Sequence, residues 1–425
     1  MMPEKEQFVY DDSKERVPPE QWEQWTAGRL FETIRFAYDN ALSVKDKFDK
    51  AGITPHDIKG IKDLEKIPIT TKDELVRLQR AHPPFGGFLT VPMNRLRRIY
   101  VSPGPTYDVW DCNIKGLARY MKATGFVKPG DVVLNTVSYH MVPAGLVLTE
   151  AADLLGLTII PAGVGQTELQ VQIIKELKVT GCIGFASFLI SILKKAEEMG
   201  YDVQRDFSLR WVLCGGEKHL EELRKTFKER YGIESAQNYG TADLGVVAYE
   251  CTVQEGMHYN IEDVMIEIVD PSTGKQCAPF EEGEVVVTLL NKIYPLIRFG
   301  TGDLSMFTDK ACSCGRTTPR LISITGMIGD RIRAKGLFIH GRELDKALSE
   351  FSQVLKYQIA VSLEEHKDRI TLTAEIDQPV DQQALSEAIR KRCKELIRLT
   401  LDEIIFVSPN TLPPDFKKFV DQRWK

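Results

Sequence analysis

The sequence has few cysteines, no long uninterrupted apolar run and no surplus of basic residues. Its 425 residues include 8 cysteines, which is too few for a scaffold held together by disulfides. Lys and Arg total 55 against 60 for Asp and Glu, so the formal net charge is −5. A protein that binds nucleic acid by neutralising phosphates is normally basic, so the charge argues against a nucleic-acid partner.

The most apolar long stretch, residues 141–164, is interrupted by Glu150 and Asp153. A membrane-spanning helix needs about 20 predominantly apolar residues, so we expect no membrane partner. The first residues form no apolar signal core. We therefore expect a cytoplasmic protein, and in a reducing compartment clustered cysteines indicate metal binding or catalysis rather than disulfides.

The composition is typical of a globular protein, with 43% hydrophobic and 27% charged residues. It excludes a disordered, collagen-like or coiled-coil chain. At roughly 150 residues per domain, the length allows one large domain and a smaller one.

Residues 1 to about 95 have a mostly helical pattern, with one helix predicted over 21–50 and a helix start at 70–75. From about 97 to 330, strands and helices alternate. The predicted strands are 98–102, 132–137, 158–160, 181–185 and 210–214, and the predicted helices are 107–124, 142–156, 166–178, 189–199 and 218–231.

Strict alternation of strands and helices favours a parallel α/β sheet. Ligands of such sheets bind beyond the carboxyl ends of the strands, which draws attention to the loops after Ser102, Cys214 and Ser235. After Tyr239 the pattern changes to short strands and turns, and from about 330 a small α+β segment begins.

Three cysteines and one histidine have the spacing of a metal site. Cys251 and His258 are separated by six residues, and Cys312 and Cys314 form a Cys-x-Cys pair. Three thiolates with one imidazole make a common tetrahedral zinc site, and four protein ligands leave no open position. The pattern predicts a structural zinc ion; the alternative is three buried cysteines and a surface histidine.

Three further motifs are weak individually. Residues 299–304 (FGTGDL) place the Asp303 carboxylate in a turn, where it could accept hydrogen bonds from a ribose diol. Residues 237–243 (QNYGTAD) form a second motif. In residues 214–217 (CGGE) a glycine pair stands between a strand and a helix, where a flat ring could approach the backbone.

In this order and at these distances, the motifs resemble those of the adenylate-forming superfamily, and most closely its phenylacetate–coenzyme A ligase branch. The resemblance covers nearly the whole chain, from Leu30 and the TK pair at 71–72, through the TGDL, CSCGRT and ITG motifs, to Gly336. It implies the adenylate-forming α/β fold, with a large N-terminal α/β region, a β-rich subdomain and a small mobile C-terminal α+β domain.

The resemblance also implies a reaction in two steps. A carboxylic acid attacks Mg²⁺-ATP to form an acyl-adenylate and pyrophosphate; the C-terminal domain then rotates, and coenzyme A displaces AMP. The small-molecule partners would be a carboxylic acid, a nucleotide and coenzyme A, with Mg²⁺ and structural Zn²⁺ as metals. A homodimer is implied by the resemblance alone.

The same resemblance assigns roles to individual residues. Asp303 and Arg320 would hold the ribose, Asp243 would stand where the family has a magnesium-binding glutamate, and Lys418 would be the adenylation lysine. Asp330 matches the hinge position, which gives domains 1–327 and 328–425. The other nucleotide-binding candidates are Ser102, Gly104, Thr106, Gly215, Gly216, Glu217, Asn238, Tyr239, Gly240 and Thr241.

The phosphate loop departs from the family pattern, in which hydroxyls, glycines and a lysine cradle phosphates. Residues 102–108 read SPGPTYD. Two prolines remove backbone N–H donors, and Asp108 replaces the cation. A carboxylate ~4–6 Å from a phosphate is unfavourable by about 1 kcal/mol or more.

Three explanations of this loop remain open. The loop binds the triphosphate in another shape, or the protein acts on an adenylate or coenzyme A ester without efficient ATP activation. In the third explanation, the protein is a non-catalytic homologue that binds acyl or nucleotide ligands.

The acyl group is expected between the strands that end near residues 138 and 185. Tyr139 and Phe185, with Ala186, suit a flat aromatic acid resembling phenylacetate. His140 is an acid/base candidate or simply a histidine whose hydrogen bonds are satisfied. The alternative for the aromatic residues is core packing.

Overall fold

The structure, a computed structural model, describes residues 16–102, 106–109, 114–217, 221–328, 331–335, 337–364, 367–377, 381–413 and 416–423. The chain divides into two compact units, Met1–Gly326 and Met327–Lys425. Each unit has its own sheets and its own apolar packing, and each is described by itself.

The N-terminal unit begins with two helices where the sequence predicts one. Helix α1 spans Pro19–Asn40 and α2 spans Leu42–Ala51. The prediction of a continuous helix is wrong at a single residue, because Ala41 between them is extended, with φ −118° and ψ 113°. Short 3₁₀ turns follow at Pro55–Asp57, Ile61–Lys66 and Met93–Arg95.

The predicted helix start near residue 70 is confirmed. Strand β1 (Thr70–Thr71) leads directly into helix α3 (Lys72–Ala81). The Thr71 side chain caps the helix by accepting a hydrogen bond from the backbone N–H of Glu74 at 3.2 Å. Because β1 pairs in parallel with the large sheet, with residues 70–71 opposite Phe299 and Gly300, the first residue of α3 is brought next to that sheet.

The predicted helix over 107–124 is wrong in its first part. Residues Ile99–Ser102 (β2) and Thr106–Val109 (β3) form an antiparallel hairpin, and helix α4 covers only Ile114–Ala123. The Gln79 amide holds β3, since it accepts from the Tyr107 N–H at 2.8 Å and donates to the Tyr107 carbonyl at 2.8 Å. Two long-range hydrogen bonds between this side chain and the backbone outweigh the local helical pattern.

The predicted parallel α/β sheet is confirmed. Five parallel strands stand in the order β5-β4-β6-β7-β8. Their bounds, with those of the intervening helices, are β4 Val132–Asn135, α5 Ala144–Leu154, β5 Thr158–Ile160, α6 Thr167–Glu176, β6 Gly181–Gly184, α7 Ala186–Glu198, α8 Val203–Asp206, β7 Trp211–Cys214, α9 Glu221–Tyr231 and β8 Glu234–Thr241. Since β8 continues through Thr241, the expected loop after Ser235 does not exist.

Alternate residues of the central strands pack on opposite sides of the sheet. In β7, Trp211 and Leu213 belong to one apolar cluster, and Val212 and Cys214 belong to another. On the neighbouring strand, a Cβ on Gly181 would come within 2.1 Å of the Trp211 ring. The glycine therefore makes room for the indole.

Beyond β8 the sheet becomes antiparallel and continues in the order β9-β10-β14-β13-β12-β11. These strands are β9 Gly245–Glu250, β10 Met257–Tyr259, β11 Val264–Val269, β12 Gly283–Leu289, β13 Phe299–Thr308 and β14 Arg320–Met327. This half is the predicted β-rich subdomain.

The C-terminal unit is the predicted small α+β region. A two-stranded sheet (β15, β16) and a four-stranded sheet in the order β19-β18-β17-β20 enclose one core with two helices. The elements are β15 Arg331–Ala334, β16 Leu337–His340, α10 Gly341–Leu348, β17 Val354–Glu364, β18 Lys367–Ile376, α11 Gln382–Ile397, β19 Glu403–Val407 and β20 Phe419–Asp421.

Of the helices in the described ranges, none combines the length and the apolar composition that crossing a membrane requires.

Asp263, in the turn before β11, gives a pH-dependent prediction. Burial raises the pKa of Asp263 to about 6, although the Asn260 amide donates a hydrogen bond to it at 2.8 Å. A carboxyl group whose pKa is raised on folding stabilises the fold below its unfolded pKa and loses that contribution as the pH rises through about 6. Replacement by Asn should therefore raise stability at pH 8, by about 2 kcal/mol, and leave it unchanged at pH 4.

Unfolding measured between pH 4 and 8 checks this expectation. The exposed Asp153 is a matched control, and Asp153→Asn should give no pH-dependent difference. A stability gain for Asp263→Asn that is equal at both ends of the range would contradict the assignment.

Candidate active site

The glycine pair after β7 forms a narrow turn beside β8. Gly216 has a positive φ of 78°, which a residue with a side chain rarely adopts. A Cβ on Gly215 would come within 2.9 Å of the Asn238 amide nitrogen. That amide donates to the Cys214 carbonyl at 3.1 Å and to the Tyr120 hydroxyl at 2.9 Å. The turn and Asn238 therefore lie together at the carboxyl edge of the parallel strands.

Glu217 follows the turn, and its side chain contacts the start of helix α7, which precedes β7 in the chain. Its carboxylate accepts hydrogen bonds from the Ser187 N–H at 2.7 Å and the Ser187 hydroxyl at 2.8 Å, in the first turn of α7. An anionic group is stabilised at a helix N-terminus. This contact joins the turn after β7 to the segment that begins with Phe185 and Ala186.

Tyr239 and Asp303 meet from two different strands. The Tyr239 hydroxyl donates to the Asp303 carboxylate at 2.7 Å, and the tyrosine is 8% exposed. The Asp303 N–H donates to the Thr301 hydroxyl at 3.0 Å, which fixes the TGD turn. A carboxylate oriented in this way can accept hydrogen bonds from a diol.

The structure does not bring Arg320, the second predicted ribose ligand, to Asp303. Arg320 is 4% exposed and donates to the backbone carbonyls of Glu255 at 2.6 Å and Lys310 at 3.1 Å. The Ser305 hydroxyl on β13 donates to the Ser323 carbonyl on β14 at 2.7 Å, and Arg320 contacts Lys310 beyond the end of β13, so Arg320 is near the far end of this strand pair. At roughly 3.3 Å per residue, more than about 15 Å separate it from Asp303.

The described residues of the 102–108 segment include a buried carboxylate. Asp108 is 1% exposed, and its Oδ2 accepts a short hydrogen bond from the Ser102 hydroxyl. Burial and the adjacent Asp243 carboxylate raise the pKa of Asp108 well above its usual value. Thr106 is fully buried, and Gly104 lies outside the described residues.

Lys72, at the start of α3, supplies a cation to this group. Its ammonium donates to the Thr106 hydroxyl at 2.8 Å and makes a short ion pair with Asp243, which is 9% exposed. No sequence motif predicts a role for Lys72. Its position directly after the helix-capping Thr71 was visible, but the pairing of β1 with β13 that brings it here was not.

Gly240 and Thr241 end strand β8 just before Asp243. A Cβ on Gly240 would lie 2.3 Å from the Gly245 carbonyl oxygen, so only glycine fits. The Thr241 hydroxyl is buried and finds no hydrogen-bond partner among the described residues. A buried hydroxyl in this state can donate to a ligand oxygen.

The four acyl-pocket candidates have different surroundings. Tyr139 packs on Gly145, and its hydroxyl lies 2.9 Å from the Thr149 hydroxyl. Phe185 is half-buried, at the carboxyl end of β6, and His140 is exposed. Ala186 has no exposed surface and belongs to an apolar cluster, so it packs in the core.

The structure brings Cys251, His258, Cys312 and Cys314 together. Their ligand atoms all lie within 4.8 Å of one another, and all four residues are buried. The Cys251 and Cys312 sulfurs are 3.8 Å apart, and the Cys314 sulfur lies 3.5 Å from His258 Nε2. A sulfur–sulfur distance of 3.8 Å is too long for a disulfide. It matches the edge, about 3.8 Å, of a tetrahedron with metal–sulfur bonds of about 2.3 Å.

The surroundings of this cluster also suit a metal ion. The Thr318 carbonyl and hydroxyl oxygens lie 3.2 and 3.0 Å from His258 Nδ1, which directs Nε2 to the cysteines. The N–H groups of Val253 and Arg316 donate to the sulfurs of Cys251 and Cys314 at 3.4 Å. Hydrogen bonds from the Cys251 and Cys312 thiols lower the pKa of Cys314, which favours a thiolate. The four donors fit Zn²⁺ in type, number and spacing.

Lys418 belongs to the C-terminal unit. Its ammonium lies 2.9 and 3.1 Å from the two carboxylate oxygens of Asp345 and 5.2 Å from the centre of the Tyr357 ring. Burial opposes ionisation of Asp345, but hydrogen bonds from Lys418 and Tyr357 outweigh it and lower the pKa of that carboxyl. Asp330, the predicted hinge residue, lies outside the described residues.

Comparisons with known proteins agree with this architecture. The AMP-binding enzyme family matches residues 111–289. A phenylacetate–coenzyme A ligase of Thermus thermophilus is 30% identical over 403 residues, which cover 90% of this chain and 88% of the relative. A phenylacetate–coenzyme A ligase of Escherichia coli is 29% identical and covers 91% of this chain and 90% of its own.

Solved structures show the same fold. The crystal structure of 2-hydroxyisobutyryl-CoA ligase with 2-HIB-AMP and CoA in the thioesterification state has a TM-score of 0.88 and 23% identity, covering 100% of this chain and 94% of that chain. The amide bond synthetase McbA of Marinactinospora thermotolerans has a TM-score of 0.56 and 16% identity, covering 75% and 66%. The predicted adenylate-forming fold is thus confirmed, and the chain belongs to the phenylacetate–coenzyme A ligase family of adenylate-forming enzymes, a family of AMP-forming acid–thiol ligases.

Proposed function

We propose that this protein is an ATP-dependent ligase that activates a carboxylic acid as an acyl-adenylate and transfers it to coenzyme A. The observation that carries the proposal is the meeting of Tyr239 and Asp303 beside the glycine turn, in a chain of this family. In the first step the carboxylate attacks the α-phosphorus of ATP and releases pyrophosphate. In the second step the coenzyme A thiolate attacks the acyl carbonyl and releases AMP.

Asp303 accepts hydrogen bonds from the ribose hydroxyls in this proposal, and the Tyr239 hydroxyl orients its carboxylate. The glycine turn at 215–216 lets the adenine ring approach the backbone, with Asn238 and Glu217 beside it. Arg320 has no part in nucleotide binding, because it is held at the other end of β13 and β14.

Lys72 supplies the positive charge that the phosphate loop lacks. Its ammonium already contacts the Thr106 hydroxyl, and exchange of its Asp243 contact for a phosphate oxygen would neutralise part of the triphosphate charge. Ser102, Gly104, Gly240 and Thr241 complete the candidate phosphate site. Asp243, with a buried carboxylate, would hold the Mg²⁺ that accompanies ATP and offsets its charge.

The acid is proposed to be aromatic and to resemble phenylacetate, which is the acid in the names of the relatives. Tyr139 and Phe185 would offer flat apolar contacts. His140 is exposed and is proposed as a rim residue, and Ala186 as a support for Phe185.

Lys418 is proposed as the catalytic lysine of the adenylation step, and Asp330 as the hinge about which the C-terminal domain rotates. An ammonium near the attacking carboxylate and the α-phosphate stabilises the charge that develops in the transition state.

The domain boundary at 327/328, the homodimer and the cytoplasmic location stay predictions that rest on the family resemblance and the composition.

Cys251, His258, Cys312 and Cys314 are proposed to bind one structural zinc ion. Four protein ligands would close its coordination shell, so the ion would connect the segment after β9 to the turn between β13 and β14 and would take no part in the reaction.

A second candidate function follows from the buried carboxylate of Asp108. Since it lies where the family has a cation, the protein could instead use a preformed acyl-adenylate or coenzyme A ester without efficient ATP activation. A non-catalytic protein that binds the same ligands is the third alternative.

ATP–pyrophosphate exchange with a panel of aromatic and aliphatic acids tests the proposal. We expect ATP–pyrophosphate exchange with at least one arylacetic acid. After addition of coenzyme A, we expect AMP and the acyl-CoA thioester to form in equal amounts. If exchange is absent with every acid, release of AMP from a supplied acyl-adenylate and coenzyme A would support the second candidate. Binding of nucleotide without any turnover would support the third.

A further inference from the structure

The carboxylates of Asp108 and Asp243 face each other in the phosphate region. Asp108 lies on β3 and Asp243 follows β8, and each is at most 9% exposed. Lys72 makes an ion pair with Asp243 and also acts electrostatically on Asp108. The buried group therefore contains two carboxylates and one ammonium.

This group has one cation for two carboxylates. If both carboxylates are ionised, the net charge is negative by one unit, and an uncompensated buried charge is strongly unfavourable. Ser102 donates to one oxygen of Asp108, but the other oxygen, Oδ1, is buried and finds no donor among the described residues. The same carboxyl group interacts directly with that of Asp243.

We propose that Asp108 and Asp243 together bind a divalent cation, Mg²⁺ or Mn²⁺, in the absence of nucleotide. Carboxylate oxygens are the ligands that these hard cations prefer, and Mg²⁺ commonly binds one or two carboxylates while retaining several waters. The cation restores charge balance and satisfies Asp108 Oδ1, while Lys72 remains with Thr106.

This inference rests on the proposed function for the identity of the cation, and it goes further in giving Asp108 a role. In this chain the residue that replaces the loop cation becomes a metal ligand. The positive charge for the triphosphate is then carried by a metal already bound to the protein.

Titration of the nucleotide-free protein with Mn²⁺, followed by electron paramagnetic resonance of the unbound ion, tests the proposal. We expect about one bound Mn²⁺ per chain, and at least tenfold weaker binding for Asp108→Asn. Asp309→Asn removes an exposed carboxylate outside the group and should bind Mn²⁺ like the wild type. The soft Cys/His cluster should not compete for this hard cation.

Thermal unfolding in metal-depleted buffer shows whether Asp108→Asn is folded and gives a second readout. The amide removes the uncompensated charge, so the variant should melt higher than the wild type without metal. Addition of Mn²⁺ should raise the melting temperature of the wild type and leave that of the variant unchanged. A lower melting temperature for the variant in both conditions would indicate a structural role and overturn the proposal.

Two results separate this inference from the proposed function. Pyrophosphate exchange by a wild type that binds no Mn²⁺ without nucleotide would overturn the inference and leave the ligase intact. Nucleotide-free Mn²⁺ binding that depends on Asp108, in a protein without exchange, would support the inference while the ligase proposal fails. Unaltered Mn²⁺ binding by Asp108→Asn would overturn the inference in either case.

Discussion

Replacement of Lys418 by Ala is expected to lower ATP–pyrophosphate exchange by about 10²- to 10³-fold, because the adenylation step loses its stabilising ammonium. The fold of the C-terminal unit should persist. The substitution does not remove the backbone hydrogen bond from the Ile359 N–H to the carbonyl of residue 418, at 2.8 Å. The Asp345 carboxylate still accepts a hydrogen bond from the Tyr357 hydroxyl, at 2.7 Å. A largely exposed ion pair contributes only about 0–1 kcal/mol to stability.

Two controls make this result specific. Lys417→Ala removes the neighbouring exposed lysine and should keep exchange within about threefold of the wild type. Thioester formation from a supplied acyl-adenylate and coenzyme A should persist in Lys418→Ala, because that step needs no attack on ATP. Wild-type exchange in Lys418→Ala would remove this residue from the mechanism.

Removal of one thiol from the Cys/His cluster is expected to have the largest effect on stability. Metal analysis of the purified protein should find about one zinc per chain, and Cys312→Ser should lose most of it. The melting temperature of the variant should fall by about 5–10 °C, because the binding energy of a structural zinc contributes directly to folding. The three remaining ligand groups would then be buried without the ion.

Cys277→Ser is the matched control for this experiment. Cys277 is a free cysteine outside the cluster, and its sulfur lies 3.7 Å from the Glu282 carbonyl. The control should keep the zinc content and melt within about 2 °C of the wild type. Absence of zinc from protein produced in zinc-supplemented medium would contradict the structural-metal assignment.

Local patterns predicted the elements whose signals are local. The cap at Thr71, the alternation of strands and helices, and the β-rich texture after Tyr239 all agree with the structure. The helix pattern failed at Ala41 and at Tyr107. At Tyr107, the backbone is held by Gln79, 28 residues earlier, and no local signal reports such a contact.

The site was harder to predict where its residues come from distant strands. Tyr239 and Asp303 were predicted separately, and only the sheet order places them in contact. The family resemblance assigns Arg320 to the ribose together with Asp303, but β14 carries it to the opposite end of β13. Lys72 was missed for the converse reason, since strand pairing brings an N-terminal residue to Asp243.

The effect of Asp108, which departs from the family's phosphate-loop pattern, depends on the charged residues around it. From the sequence alone, a carboxylate in a phosphate loop predicts repulsion of the nucleotide. In the structure, this carboxylate is buried against Asp243 and within the field of Lys72. Whether the loop still supports activation of an acid therefore depends on the charge of the whole group.

Acid-dependent ATP–pyrophosphate exchange in the absence of coenzyme A tests the central claim most directly, because it isolates the adenylation step. The account predicts exchange with Mg²⁺ and an arylacetic acid such as phenylacetate, and a fall to background when the acid is omitted. Lack of exchange with every acid of the panel, in protein that is folded and binds AMP, would contradict it.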